Sequence, residues 1–296
     1  MRRKFVFSTK RSKRLKKGQQ VEGPILLPAA ALQDKLVKSW LKQIDAMHKD
    51  VNKQVIQMFK SPLSKSTYAQ DGSLGETAKR LTDKMTNKWL KVFDKFSNNW
   101  ADKMTDDFNK QAGRSLQLSL KKLSGGLTIK TDAINERTNN IMISGAAEAS
   151  SLIKSISSEY LSKVSEEVLR SVRDPAAGGL SGLIKEIQKN LNGRYKRTKN
   201  HAKNVALDQT RKMFNSLNAA RMQDAGIEEF EWIHSGGSKE PRKDHIAMNG
   251  NIYRFDDPPI IDHRSGERGL PGQTYYCRCM MKPVIRFSDE VDSEKD

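Results

Sequence analysis

The stretch that decides the C-terminal fold reads W-I-H-S-G-G-S-K-E-P-R-K-D-H-I-A-M-N-G-N-I-Y at positions 232–253 and L-P-G-Q-T-Y-Y-C-R-C at positions 270–279. The whole stretch from Trp232 to Cys279 contains both cysteines of the chain and three of its five histidines. Turn-forming clusters divide it into short apolar runs, a pattern typical of short strands joined by turns. The chain before this stretch is helical in pattern and strongly basic. We therefore expect residues 1–200 to form an arm and a helical body that position a small compact domain.

This domain is predicted to combine one helix with a small sheet. The helix begins at Gly193 and ends at Gly226, whose place after the last apolar residues is typical of a C-cap. Four later segments have the composition of strands: residues 228–233, 251–255, 275–281 and 284–287. With the helices before residue 193, they predict an α+β fold class. We expect a mostly α-helical N-terminal body and a small C-terminal domain in which a helix packs on an antiparallel sheet.

The helical body is predicted from apolar residues that recur every three or four positions and so share one helix face. Such stripes cover residues 37–58, 81–108, 134–168 and 183–191. Breaks are predicted at Ser61-Pro62, Gly113, residues 124–126 and Asp174-Pro175. For residues 116–123, a strand and a helix fit the leucine spacing equally well. The predicted segments are a basic flexible arm (1–29), a helical body (30–192), the C-terminal domain (193–287) and an acidic tail (288–296).

Charge is the strongest compositional signal in the chain. It carries 53 Lys and Arg against 35 Asp and Glu, a net charge of +18. This excess predicts attraction to polyanions, above all to nucleic acid. The predicted DNA-binding residues form two clusters: Arg2, Arg3, Lys4, Lys10, Arg11, Lys13, Arg14, Lys16 and Lys17 in the arm, and Arg194, Lys196, Arg197, Lys199 and Lys203 on a helix. For the second cluster, the alternative is a solvated helix face without a nucleic-acid partner.

The two cysteines predict a metal site rather than a disulfide. Residues two apart on a strand project from the same face, so a strand here would aim the thiolates of Cys277 and Cys279 at one ion. Their Cα separation would lie near the upper limit for a disulfide. Structural zinc requires four ligands, and we predict His245 and His263 as the other two, with His234 in reserve. The alternative is that the cysteines are small buried hydrophobic residues without a metal.

Several motifs follow one another in a specific order over about residues 180–286. They are A-L-D-Q-T-R-K-M-F-N-S-L-N-A-A-R-M-Q-D-A-G-I at 206–227, E-F-E-W at 229–232, P-R-K-D-H-I-A-M-N-G at 241–250 and L-P-G-Q-T-Y-Y-C-R-C at 270–279. Together they resemble the C-terminal domain of the phage Mu F-like minor head proteins, the head morphogenesis family. The resemblance implies a low-copy structural protein of a tailed phage, not an enzyme, that associates with the portal vertex and contacts packaged DNA.

The partners and location expected from this resemblance are those of a virion protein. They are the portal protein, the major capsid or scaffolding protein, and double-stranded DNA bound non-specifically. No apolar run approaches the ~20 residues of a membrane-spanning helix, so no membrane partner is expected. The expected locations are the head interior or portal vertex of the virion, and the host cytoplasm during assembly.

Two other functions fit parts of the sequence. Asp244-His245, Gly250 and His263 resemble a metal-dependent nuclease of the His-Asn-His type, in which a histidine acts as general base beside a divalent ion. The loop-like segment 258–272 lacks the helix that would carry the second metal ligand of such a site. A general DNA-binding protein unrelated to virions would explain the basic arm but not the C-terminal motifs.

Overall fold

The computed structural model describes residues 20–60, 73–123, 135–173, 179–237 and 240–286. The long helices are α1 (Ala30–Lys60), α2 (Leu74–Leu123), α3 (Glu136–Arg173) and α4 (Gly179–Asp224). The shorter elements are β1 (Gln20–Glu22) before α1 and, after α4, β2 (Glu229–Ile233), α5 (Lys243–Ala247), β3 (Ile252–Arg254), β4 (Ile260–Asp262), β5 (Glu267–Arg268) and β6 (Met280–Arg286). The predicted α+β class, with a helical body and a C-terminal antiparallel sheet, is confirmed.

The chain forms two compact units that interleave along the sequence. Among the described residues, the first unit draws on 20–33, 104–123, 135–145, 207–237 and 240–286, and the second on 34–60, 73–103, 146–173 and 179–206. The boundary that we predicted between residues 192 and 193 falls inside α4, which is continuous there. Within the described segments, no helix is long and apolar enough to span a membrane.

The second unit has a core of aromatic and aliphatic side chains from four helix segments. The stripe predicted on α1, from residue 37 to residue 58, is buried throughout. Trp40 of α1 packs edge to face against Trp100 of α2, with ring centroids 5.8 Å apart. The indole nitrogen of Trp100 also donates a hydrogen bond to the carbonyl oxygen of Leu36 at 2.9 Å. The three-to-four spacing of the apolar residues therefore accounts for this core.

The first unit contains a four-stranded antiparallel sheet in the order β1-β6-β2-β3. In the central pair, Trp232 of β2 lies opposite Met281 of β6. Phe230 and Trp232 project from the same face of β2, and both are fully buried. Strands β4 and β5 form a separate two-stranded sheet. The β4–β5 pair lies in the segment 258–272, which the sequence predicted to be loop-like, and α5 lies where no helix was predicted.

Two helices continue through glycines at which the sequence predicted a helix boundary. Helix α2 passes Gly113 and reaches Leu123, so the undecided residues 116–123 are helical. Helix α4 passes Gly193, so one helix replaces the two that were predicted there. An interior glycine costs a helix only about 1 kcal/mol relative to alanine. Buried residues on both sides of these glycines, such as Leu116 and Leu191, offset that cost.

The two strands predicted at residues 275–281 and 284–287 are a single strand, β6, which begins only at Met280. Cys277 and Cys279 therefore precede the strand, and the prediction that they lie on it is wrong. A β-turn occupies this place, closed by the Cys277 N–H, which donates to the carbonyl oxygen of Thr274 at 3.1 Å. The third residue of this turn, Tyr276, has a positive φ of 57° that ends any extended run.

The predicted flexible arm contains ordered residues at its end. Strand β1 pairs with β6, with Gln20 opposite Arg286. Leu26 is buried, and its N–H donates to the carbonyl oxygen of Met281 at 3.1 Å. The first DNA-binding cluster, from Arg2 to Lys17, lies outside the described residues, as does the acidic tail at 288–296.

Candidate metal centre

Three elements hold His245 in a buried position. It lies in α5, is only 3% exposed, and meets Trp232 of β2 edge to face with ring centroids 5.3 Å apart. Its Nε2 is 3.1 Å from the carbonyl oxygen of Ile261 in β4. Because a carbonyl oxygen only accepts hydrogen bonds, Nε2 carries the hydrogen and Nδ1 is left to face the cysteines. Histidines that bind metals usually make such a bond through the nitrogen that does not touch the metal.

Both cysteines are buried beside this ring. Cys277 Sγ lies 3.4 Å and Cys279 Sγ 3.6 Å from Nδ1 of His245. The three atoms all lie within 4.8 Å of one another. A tetrahedral zinc ion with bonds of about 2.3 Å to sulfur and about 2.1 Å to nitrogen would separate a sulfur and a nitrogen by about 3.6 Å. These side chains therefore have the spacing of three corners of a tetrahedral site.

The hydrogen bonds within this group change how its members ionise. The pKa of Cys277 is lowered to about 4, mainly by the hydrogen bond from Cys279; burial opposes this shift and His245 adds to it. The hydrogen bond with Cys277 raises the pKa of Cys279 and of His245. The lowered pKa of Cys277 favours its thiolate, the form in which cysteine binds metals. A metal ion bound by both sulfur atoms would displace the proton of Cys279.

Of the other two histidines considered, His234 lies at this group and His263 does not. Nδ1 of His234 is 3.6 Å from Sγ of Cys279. The backbone N–H of His234 donates to Oδ1 of Asn249 at 2.8 Å, which fixes the chain after β2. The His263 side chain is 61% exposed, and its Nε2 lies 4.0 Å from a carboxylate oxygen of Asp244. The structure brings three of the four predicted ligands together and places His234, rather than His263, next to one of them, Cys279.

Asn215 of α4 is a positioning residue that the sequence pattern did not identify. It is 1% exposed, and its side-chain amide donates to the carbonyl oxygens of Pro271 at 2.9 Å and Cys279 at 3.1 Å. This amide ties the loop that carries the cysteines to α4. Gly272 packs on the same amide with a φ of +84°, and a Cβ there would clash with Nδ2 of Asn215. The only signal in the sequence is a polar residue directly after the apolar Phe214.

The second predicted DNA-binding cluster lies on the part of α4 that belongs to the second unit. Arg194 and Lys199 form ion pairs with carboxylates at 3.3 Å and 2.8 Å. Lys196, Arg197 and Lys203 are exposed. Because Lys196 and Lys203 are seven residues apart, they lie on the same side of the helix. The exposed part of the cluster therefore consists of these last three side chains.

Comparison with known proteins gives the same family as the motifs. Residues 163–282 match the family described as Phage Mu protein F like protein. An uncharacterized protein of Haemophilus influenzae is 32% identical over 142 residues, which are 47% of this chain and 28% of that protein. The chain thus spans little more than a quarter of the length of this relative. No solved structure matches the chain. The resemblance seen in the motifs is confirmed for the C-terminal region, where residues 163–282 match the Phage Mu F-like family.

Proposed function

We propose that this protein is a minor head protein of a tailed phage, a structural component that acts in head morphogenesis without catalysing a reaction. The observation that carries the proposal is the match of residues 163–282 to the Phage Mu F-like family. The motifs of that family converge in the structure, since residues 206–227, 241–250 and 270–279 all contribute to the unit that holds the cysteines. A chain with a net charge of +18 is also suited to a compartment filled with DNA.

The proposed partners are the portal protein and the major capsid or scaffolding protein, at the portal vertex or inside the head. The resemblance to minor head proteins supports this placement. A basic protein near the portal would reduce the repulsion between closely packed phosphates by releasing their counterions. The protein would therefore serve as an assembly component that also contacts the genome.

The proposed DNA contact is non-specific and relies on cations. Lys196, Arg197 and Lys203 are exposed on α4, while Arg194 and Lys199 already have carboxylate partners and would contribute less. The arm supplies nine further cations between Arg2 and Lys17. Lysine and arginine contacts to phosphates carry no sequence information and weaken as salt increases.

The proposal includes a structural zinc ion bound by Cys277, Cys279, His245 and His234. The sulfur–nitrogen distances of 3.4–3.6 Å support it, because they are close to the corner-to-corner distance of a tetrahedral zinc site. The hydrogen bond from His245 to the Ile261 carbonyl also supports it. The sheet of this unit has short strands, and a metal stabilises such small domains effectively.

A metal-dependent nuclease is a second candidate, and the surroundings of His245 disfavour it. A general base needs a ring nitrogen that can reach a substrate or a water molecule. The Nε2 of His245 is bonded to a backbone carbonyl, and its Nδ1 faces two sulfur atoms in a buried position. A histidine in these surroundings is suited to hold a metal in a closed site.

Co-purification with the portal protein tests the proposed function. The full chain, carrying an affinity tag, would be expressed with the portal protein of the same phage and isolated through the tag. We expect the portal oligomer to be retained after a high-salt wash. Contacts between assembly partners also bury apolar surface, and salt does not screen that part of the interaction. A variant with Lys196, Arg197 and Lys203 changed to glutamine is the control, and it should retain the portal while binding DNA less tightly. DNA binding without any complex with head proteins would favour a general DNA-binding protein instead.

A further inference from the structure

Tyr275 and Tyr276 form an exposed aromatic pair just before the first cysteine. They are 50% and 43% exposed, and their rings meet edge to face with centroids 4.7 Å apart. Every other aromatic residue in the described segments is buried or half-buried. An isolated cluster of exposed aromatic surface on a basic protein indicates a contact site, because aromatic rings are enriched where proteins bind partners.

The backbone holds this pair in a conformation that glycine would adopt more easily. The tyrosines are the two central residues of the β-turn that Cys277 closes by donating to Thr274 at 3.1 Å. Tyr276 has a φ of 57°, and no other non-glycine residue in the described segments has a positive value. The third position of such a turn favours glycine or asparagine. A strained tyrosine at an exposed position indicates a role for its ring beyond folding.

Several basic side chains and one carboxylate lie beside the pair. Nζ of Lys212 lies 5.6 Å from the ring centre of Tyr275 and 3.4 Å from the carboxylate of Asp208, which also accepts a hydrogen bond from the Tyr276 N–H at 2.8 Å. Arg242 donates to the carbonyl oxygen of Tyr275 at 2.9 Å, and Arg278 donates to another backbone carbonyl at 2.7 Å. In the part of the chain that the structure describes, neither arginine forms an ion pair with a carboxylate. Burial and then the positive charge of Arg278 lower the pKa of the nearby Arg211. An anion at this place would relieve the repulsion among these cations.

We propose that Tyr275, Tyr276, Arg242 and Arg278, here named the tyrosine–arginine surface, bind single-stranded nucleic acid. The exposed rings would stack on unpaired bases while the guanidinium groups contact phosphates, the combination that proteins use to hold single strands. A duplex hides the faces of its bases, so duplex DNA would engage the arginines alone. An acidic protein segment would also satisfy the arginines, but it has no need of two exposed rings. The inference does not depend on the duplex contact proposed for Lys196, Arg197 and Lys203.

Fluorescence anisotropy with the full chain tests this surface, using a labelled oligonucleotide of mixed sequence as a single strand and as a duplex. We expect Tyr275→Ala to weaken single-strand binding roughly fivefold or more, as removal of one stacking ring does. Duplex binding should stay within about twofold, because stacking is not available there. Tyr275→Phe, which keeps the ring, is the matched control and should bind as the unaltered chain does. Tyr276→Gly should also weaken single-strand binding because it removes a ring. The same change should relieve backbone strain, since glycine adopts a positive φ easily.

The arginines are tested by salt titration of the same complexes. Arg278→Gln should lower the salt slope for the single strand by about 0.7, the value for one lost phosphate contact. Arg268→Gln, at an exposed arginine that pairs with Asp257 at 2.7 Å, should leave the slope unchanged. Unchanged single-strand affinity in Tyr275→Ala, or equal losses for single strand and duplex, would overturn the proposal. If the tyrosine variants instead lost only their complex with head proteins, the surface would be a protein contact and the proposal would be refuted.

Discussion

The side chain of His245 connects two parts of the first unit, since Nε2 lies 3.1 Å from the carbonyl oxygen of Ile261 while Nδ1 lies 3.4 Å from Sγ of Cys277. The first contact decides which nitrogen is available for the second. The ring is thereby oriented before any ligand binds, which lowers the cost of forming a metal site. The candidate metal centre thus depends on strand β4 as much as on the cysteines.

The choice between His234 and His263 as a zinc ligand gives the first prediction. His234→Ala should lower the zinc affinity of the purified protein by about tenfold or more, because Nδ1 of His234 is 3.6 Å from Sγ of Cys279. His263→Ala should leave the affinity unchanged, since that side chain is exposed. Competition with a chromogenic chelator measures both values. The opposite ranking would restore the ligand set predicted from the sequence, and an absence of zinc from the unaltered protein would refute the metal site.

Asn215 provides a prediction about positioning. Asn215→Leu keeps the branching and the number of heavy atoms of the side chain but leaves the carbonyl oxygens of Pro271 and Cys279 without their donor. We expect the free energy of unfolding to fall by about 1–3 kcal/mol, the usual cost of a buried unsatisfied polar group. Chemical denaturation in the presence and absence of a zinc chelator measures the effect. The same change at the exposed Asn139 should have little effect, and equal losses at the two sites would contradict the role of Asn215.

Glu167 in the second unit gives a prediction about pH. Burial alone would raise the pKa of this carboxyl, but hydrogen bonds from Asn190, Arg170 and Arg194 outweigh it and lower the pKa below its ordinary 4.5. The folded protein therefore binds a proton less readily than the unfolded chain. The stabilisation is fully present above about pH 4.5 and is lost as the pH falls through the lower value of the folded state.

The matching experiment compares Glu167→Gln with Glu166→Gln at its exposed neighbour. Glu167→Gln should cost about 1–3 kcal/mol at pH 7, as expected for lost hydrogen bonds to a buried charged group. Its stability should also fall less than that of the unaltered protein as the pH is lowered toward 3. Glu166→Gln, which removes only an exposed ion pair with Lys163, should depart from the unaltered protein much less than Glu167→Gln does at every pH. Parallel pH curves for Glu167→Gln and the unaltered protein would show that the carboxylate does not contribute as proposed.

Deletion of residues 2–17 tests the contribution of the arm to DNA binding. The deletion removes nine cations, so affinity for duplex DNA should fall and the salt dependence should become flatter. Each phosphate contact that is lost lowers the slope by about 0.9. Binding measured from low to moderate salt gives both quantities. An unchanged slope would assign the contact to other cations of the chain.

Periodicity in the sequence was sufficient to predict the helical body. Trp40, Ile44, Met47 and Val51 recur on one face of α1, and the structure buries all of them. The helix boundaries predicted at Gly113 and Gly193 were wrong. A glycine is only a weak helix breaker when buried residues on both sides of it pack against other elements. The spacing of apolar residues within one helix does not show which other elements pack against it.

The grouping of side chains at the candidate metal centre could be predicted in part. The two cysteines and His245 could be identified by residue type. Whether His234 or His263 lies beside them depends on the tertiary structure, which cannot be read from the spacing of residues in the sequence. The strand assigned to Cys277 and Cys279 was wrong because Tyr276 adopts a conformation that usually requires glycine. A turn with tyrosine in that position has no recognisable sequence signal.

Quantitative mass spectrometry of purified phage particles, with parallel samples of procapsids, tests the central claim most directly. We expect this polypeptide to be present in both, in low copy number relative to the major capsid protein. Particles treated with nuclease should retain it, because its proposed place is inside the head or at the portal. Its absence from procapsids and mature particles alike, while the protein is abundant in the infected cell, would contradict a role as a minor head protein.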